Sequence, residues 1–288
     1  MDWASYADIW PHAATSRFVQ ARPHRWHVQL MGPEDAPVLL LLHGTGGATH
    51  SWRDVAPRLA ERFRVVVPDL PGHGFTRLGA MQRSSPDLMA QDLAALLGKL
   101  GTPPDAIVGH SAGGALALRL AQRGDARPRA LVGLNAALES FAGAAGWLFP
   151  IMAKALALNP FVAPTFARMA RPTGVERLIG GTGSRIDPLG LALYRACISD
   201  ARHVDGALTM MAQWRLSALE RALPRLELPT LLLAGTDDRA VPPSTSKRAA
   251  ARLPEGRVEL LPGLGHLAHE EAPEEITTRI LVFLDRVL

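Results

Sequence analysis

Cysteine is nearly absent. Cys197 is the only one in 288 residues, so the chain contains no internal disulfide and no cysteine-built metal cluster. It reads as a small buried apolar residue. Lysine is scarce too: the formal charge of +4 and the pI near 9.8 come almost wholly from arginines scattered along the chain. No basic run interleaved with aromatics exists, which argues against a nucleic-acid partner. A mild positive field instead suits an acidic substrate or an anionic membrane surface. Also missing is an unbroken apolar run of the ~20 residues that a spanning helix needs. The nearest approach, residues 140–167, is interrupted by Pro150, Asn159, Pro160 and Pro164, and reads as short helices covering something apolar. The start Met1-Asp2-Trp3-Ala4-Ser5 lacks the basic and apolar regions of a secretory signal, which predicts a cytoplasmic protein. No His, Asp or Glu group has metal-ligand spacing; His203 and Asp205 lie two apart in a predicted loop, and neither a metal nor a cofactor is expected.

What remains is an ordinary globular composition, 48% hydrophobic and 20% charged, with a strongly ordered pattern. Strand-like stretches at Phe18–Gln20 and Trp26–Met31 open the chain. Val38-Leu39-Leu40-Leu41-Leu42 is then a continuous apolar run bounded by glycine, as expected of a strand buried on both faces. Helical spacing follows over Ser51–Arg62, a strand over Val65–Val67, a helix over Leu88–Leu100 and a strand over Ala106–Val108. Ala112–Arg123 is helical and Leu131–Leu134 returns to the sheet. Such alternation predicts a mostly parallel sheet with helices on both faces. For about ninety residues, 135–229, the pattern is helical with many Pro and Gly breaks. Alternation resumes with a strand at Thr230–Ala234, a helix near Ser244–Arg252, a strand at Val258–Leu261 and a helix from Pro273. The expected organisation is one α/β core, 1–135 with 229–288, and a helical cap, 136–228.

Chemistry concentrates at strand ends. Gly109-His110-Ser111-Ala112-Gly113 sits where a strand meets a helix, so flanking glycines can turn the chain sharply and present the Ser111 hydroxyl at the helix N-terminus. A serine hydroxyl needs a base and a group that orients the base. Gly235-Thr236-Asp237-Asp238 follows one later strand and Gly263-Leu264-Gly265-His266 follows the last. Asp237 and Asp238 compete as the acid, and His266 and His269 as the base. Glycine before His266 and its place directly after the strand favour it over His269, which then becomes a helix-start or surface residue. His43-Gly44-Thr45-Gly46 follows the third strand and is placed to supply a backbone N–H from Thr45, beside that of Ala112, to a developing oxyanion. Asp69 and Thr76, in Asp69-Leu70-Pro71-Gly72-His73-Gly74-Phe75-Thr76, read as residues that hold turns together. In the insertion, Trp147, Met210 and Met211 are candidate contacts for a flat apolar ligand, with His43 below them.

These signatures together resemble the serine-type α/β-hydrolase fold, in which Gly-x-x-Asp-x-x-Val-Pro is common; Gly235, Asp238, Val241 and Pro242 reproduce it, so the resemblance selects Asp238. More specific stretches resemble the BchO family of magnesium-chelatase accessory proteins in bacteriochlorophyll biosynthesis. They are Thr49-His50-Ser51-Trp52-Arg53, Gly133-Leu134-Asn135-Ala136-Ala137-Leu138, Thr182-Gly183-Ser184-Arg185-Ile186-Asp187, His203-Val204-Asp205-Gly206-Ala207-Leu208 with Met210-Met211-Ala212, and Leu264 to Glu271. Arg215 departs from it, where an acidic residue would be expected. The resemblance implies a tetrapyrrole-type small-molecule ligand and association with magnesium chelatase, without specifying a reaction. Two functions stand: a Ser111–His266–Asp238 esterase, or a non-catalytic porphyrin-binding accessory protein on a hydrolase fold. A haloalkane dehalogenase or epoxide hydrolase is disfavoured, because those place a carboxylate at the elbow.

Overall fold

Leu39 and Leu41 pack into one apolar cluster and Leu40 and Leu42 into another, so a single run of leucines serves two cores on opposite faces of one sheet. In the computed structural model, which describes residues 1–80, 82–139 and 172–288, that sheet has eight strands. They are β1 (Ser16–Ala21), β2 (His24–Met31), β3 (Val38–Leu42), β4 (Arg64–Pro68), β5 (Ala106–His110), β6 (Ala130–Leu134), β7 (Thr230–Gly235) and β8 (Gly256–Leu261). Their spatial order is β1-β2-β4-β3-β5-β6-β7-β8. β2 runs antiparallel to both β1 and β4, and every other pairing is parallel. This is the expected α/β-hydrolase arrangement.

The helices are α1 (Ala56–Leu59), α2 (Pro86–Leu100), α3 (Ala112–Gln122), α4 (Pro172–Gly181), α5 (Pro188–Ile198), α6 (Ala201–Gln213), α7 (Ser217–Ala222), α8 (Pro243–Ala250), α9 (Ala268–Glu271) and α10 (Pro273–Leu284). Leu93, Leu116, Leu219 and Ala249 place α2, α3, α7 and α8 over one face. Leu59, Ala268 and Ile280 place α1, α9 and α10 over the other. The single helix expected over Ser51–Arg62 is instead a short 3-10 turn at Thr49–Trp52 followed by α1. Pro57, in the first turn of α1, has no N–H to bond back to the preceding turn, which interrupts the run. Between β6 and β7 the described elements are all helical, α4 to α7 with one 3-10 turn, and no strand is among them. His203 and Asp205 lie on α6 rather than in a loop. Among the described residues no helix is long and apolar enough to cross a membrane, and no group of His, Cys, Asp and Glu is arranged to hold a metal.

Every histidine except His12 is buried. Five of these, His24, His43, His73, His110 and His203, bond loop backbone. Asp69 anchors one such loop: its carboxylate accepts from the N–H groups of Thr49 (2.7 Å) and Phe75 (2.8 Å) and from His27 Nδ1 (2.8 Å). Burial alone would raise its pKa, but His27 and these donors hold it below the usual carboxylate range. Thr76 Oγ1 accepts from the His27 N–H at 2.8 Å. Asp69 and Thr76 thus organise turns, as expected. The order of β4, β3 and β5 makes the C-terminal ends of β3 and β5 the point where chain connections diverge to opposite sides, which opens a crevice there.

Candidate active site

Ser111 stands in that crevice, directly after β5. Its backbone has φ 52° and ψ −117°, a region that ordinary side chains rarely adopt. The turn closes only because its neighbours are glycines: a Cβ on Gly113 would lie 2.2 Å from the Leu42 carbonyl oxygen. The Ser111 N–H donates to the Leu134 carbonyl (2.9 Å) and the Ala137 N–H donates to the Ser111 carbonyl (3.0 Å), so the end of β6 holds the strained residue on both sides. Ala112 begins α3, and the first N–H groups of a helix have no partner within it.

The candidate acid and base meet across 28 residues of sequence. His266 Nδ1 donates to Asp238 Oδ2 at 2.8 Å, and the pair is buried. Asp238 Oδ1 also accepts from the Ala240 and Val241 N–H groups, both at 2.8 Å. Asp237 is exposed and, among the described residues, its carboxylate accepts only from Thr236 Oγ1. The geometry therefore separates the two aspartates that local sequence left equivalent. With Nδ1 donating to a carboxylate, the imidazole keeps Nε2 as its basic nitrogen. His266 reaches the elbow through His110: the two rings are 4.8 Å apart, and His110 Nε2 donates to the His266 carbonyl at 2.9 Å. Burial, with His269 and His266 nearby, keeps His110 neutral, far below the usual histidine range. Among the described residues no hydrogen bond joins the Ser111 hydroxyl to His266 in this state of the site.

His269 is not a surface residue. It is 1% exposed, wedged between Trp52 (4.7 Å) and His110 (4.5 Å). Burial pushes its pKa down to about 3.

The Gly44–Thr45 loop lies against the elbow, since a Cβ on Gly44 would sit 3.0 Å from Ser111 Cβ. Thr45 is half-buried, and its hydroxyl donates to Met210 Sδ at 3.6 Å. Two expected ligand contacts have close protein partners here. His43 is fully buried, its Nδ1 donating to the Gly44 carbonyl (2.8 Å) and its Nε2 accepting from the Leu70 N–H (2.9 Å). Both ring nitrogens are thus engaged in shaping the loop. Met210 is fully buried in the core and touches the loop from behind. Met211 is half-buried on α6, and Trp147 lies outside the described residues.

The inserted helices grip the same loops. His203 on α6 accepts from the Gly74 N–H at Nδ1 (2.9 Å) and faces the Gly46 carbonyl with Nε2 (3.1 Å). This fixes the neutral tautomer that donates from Nε2; burial lowers its pKa to about 4. Ser184 Oγ accepts from the Leu267 N–H (2.7 Å), beside His266, and the Thr182 carbonyl accepts from the Arg239 N–H (3.0 Å), beside Asp238. The residue that sequence reasoning missed is Asn135. It appeared there only as a boundary and part of a family stretch, yet its side chain bonds both the acid and the base loops. Its one local signal is an amide directly after a buried apolar strand.

Comparison with known proteins agrees with this architecture. The α/β hydrolase fold family matches residues 37–273. A magnesium-chelatase 30 kDa subunit from Rhodobacter capsulatus is 47% identical over 286 residues, 99% of this chain and 100% of that protein. A pimeloyl-[acyl-carrier protein] methyl ester esterase from Xanthomonas oryzae pv. oryzae (strain MAFF 311018) is 31% identical over 268 residues, 88% of this chain and 98% of that one. Among solved structures, a thermophilic esterase from Thermogutta terrifontis superposes with a TM-score of 0.76 at 26% identity, covering 94% of this chain and 98% of the other. The chain belongs to the α/β-hydrolase-fold family and, within it, to the family of the magnesium-chelatase 30 kDa subunit.

Proposed function

We propose that this protein is a serine esterase of tetrapyrrole metabolism, working beside a magnesium chelatase on an ester-bearing pigment precursor. The observation that carries the catalytic part is the buried 2.8 Å hydrogen bond from His266 to Asp238, in a loop that touches the strained Ser111 turn through His110. In this reading Ser111 Oγ attacks the ester carbonyl while His266 Nε2 takes its proton, and Asp238 holds the imidazole and stabilises its charged form. The Ala112 and Thr45 N–H groups receive the oxyanion. The tetrahedral intermediate collapses, the alcohol leaves with the proton from His266, and water repeats the sequence to release the acid and restore Ser111. We take the insertion as the cap that roofs the site, with Met211 on its ligand side. The pigment assignment is supported by the name of the Rhodobacter relative and by the family-specific stretches, which fall on the loops that hold the site.

Labelling with a fluorophosphonate tests the chemistry: the wild-type chain should carry one adduct, on Ser111, and Ser111→Ala none. A folded wild-type chain without an adduct would overturn the esterase reading. That relative's name as a chelatase subunit supports a second reading, a porphyrin carrier with an idle triad. It predicts full rescue of a pathway mutant by Ser111→Ala, whereas the esterase predicts no rescue and an accumulated ester.

A further inference from the structure

Acid, base and nucleophile sit on three different strand ends, and nothing in a parallel sheet fixes how the loops beyond those ends lie relative to one another. Lateral hydrogen bonds must do so. The first residue past β6 is Asn135, 1% exposed and held at φ 45°, a left-handed conformation that asparagine tolerates better than most residues. Its Nδ2 donates to the Gly265 carbonyl (2.9 Å) and to the His266 carbonyl (2.7 Å), while its Oδ1 accepts from the Gly235 N–H (2.7 Å). Its own N–H donates to the Leu233 carbonyl at 2.8 Å. Gly235 ends the strand that leads to Asp238, and the flanking residues Leu134 and Ala137 bond the backbone of Ser111. One amide therefore ties the base loop and the acid loop to the segment that holds the nucleophile.

We propose that Asn135 is a positioning residue, fixing the Asp238–His266 pair relative to Ser111, with His110 as the second donor to the same His266 carbonyl. The proposal rests on the esterase reading for its kinetic consequence but not for its geometric one. The site demands two N–H donors and one acceptor in a single short side chain. Aspartate would set a carboxylate against two carbonyls, and a hydrocarbon would strand the Gly265 carbonyl and the Gly235 N–H, each costing about 1–3 kcal/mol, and leave the His266 carbonyl to His110 alone.

The test measures two quantities in wild-type, Asn135→Ala and His110→Phe chains. One is the rate of fluorophosphonate inactivation with its pH profile; the other is the NMR resonance of the His266 Nδ1 proton in histidine-labelled protein. Asn135→Ala should lower the inactivation rate by about 10²-fold, the loss expected from a misplacement near 1 Å. The Nδ1 proton should move upfield or broaden, and the pH midpoint should shift. A merely structural role would lower the melting temperature and leave both readouts alone, which would overturn the proposal. If Asn135→Ala does not fold, His110→Phe keeps the ring packing and removes the second donor; an unmoved Nδ1 proton in that variant is equally fatal. If wild type takes no adduct while the Nδ1 proton still moves in the variant, the esterase reading fails and the positioning inference stands.

Discussion

Arg53 and Glu270 join the inserted helices to the core beneath the His266 loop, and replacing Arg53 by methionine puts a number on that joint. The Arg53 guanidinium bonds the Glu270 carboxylate, and both side chains are buried. Arg53 also pairs with Asp187 at 3.1 Å, just before α5, and Tyr194 on α5 donates to Glu270 at 2.7 Å. Burial pushes the Glu270 carboxyl up to about 7, more than Arg53 and Tyr194 pull it down. Among the described residues, Arg53→Met leaves that carboxyl buried with the Tyr194 hydroxyl as its hydrogen-bond donor and the His269 ring 4.0 Å away, itself held neutral by burial. Breaking a buried pair in this way costs about 3–5 kcal/mol, or roughly 10 °C in melting temperature for a chain of this size. The loss should depend on pH in one direction. Without Arg53 the Glu270 carboxyl holds its proton to a still higher pH, while in the unfolded chain it releases it in the ordinary carboxylate range. Above pH 7 the folded variant binds a proton that the unfolded chain does not, so its stability falls as pH rises while that of the wild type stays level. The penalty should grow by about 1.4 kcal/mol per pH unit there. Urea denaturation at pH 6 and pH 8.5 measures it, and Glu270→Gln in the same background should abolish the pH-dependent part. A penalty equal at both pH values would refute the reasoning.

Three further outcomes follow from other parts of the molecule. Gly113→Ala should destabilise the chain by about 3 kcal/mol and abolish labelling of Ser111, because the new Cβ meets backbone oxygens of Leu42 and His43 that move only with β3; a wild-type melting temperature would contradict this. Acid should unfold the protein early. Burial lowers His203 to about 4 and His269 to about 3, and also lowers His43, His50, His73 and His110. The unfolded chain therefore binds more protons below about pH 6.5, and stability should fall from there downward, against the smaller opposite slope of Glu270. A urea midpoint unchanged between pH 7 and pH 5 would count against it. Cys197 is fully buried and its thiol is pushed upward by burial; it should react with a disulfide reagent only in denaturant, and rapid reaction of the native protein would show the packing around α5 to be wrong.

Much of this was legible in the chain alone. Apolar runs and helical periods located all eight strands; for β3 to β7, burial on both faces of the parallel part of the sheet leaves a local mark of three to five mostly apolar residues. Gly109-His110-Ser111-Ala112-Gly113 marked the elbow for a similar reason: a sharp strand-to-helix turn needs glycine next to it in sequence. The residues that local pattern could not separate are those whose roles depend on distant partners. Asp238 differs from Asp237 through a histidine 28 residues away. His266 differs from His269 because one faces Asp238 and the other is packed between Trp52 and His110. His43 engages both its nitrogens with Gly44 and the distant Leu70, and the Asn135 side chain meets a carbonyl 131 residues on at 2.7 Å. Periodicity and turn chemistry are short-range and are written in neighbouring residues. Hydrogen-bond partners at strand ends are set by which strands lie side by side, and only the folded sheet decides that.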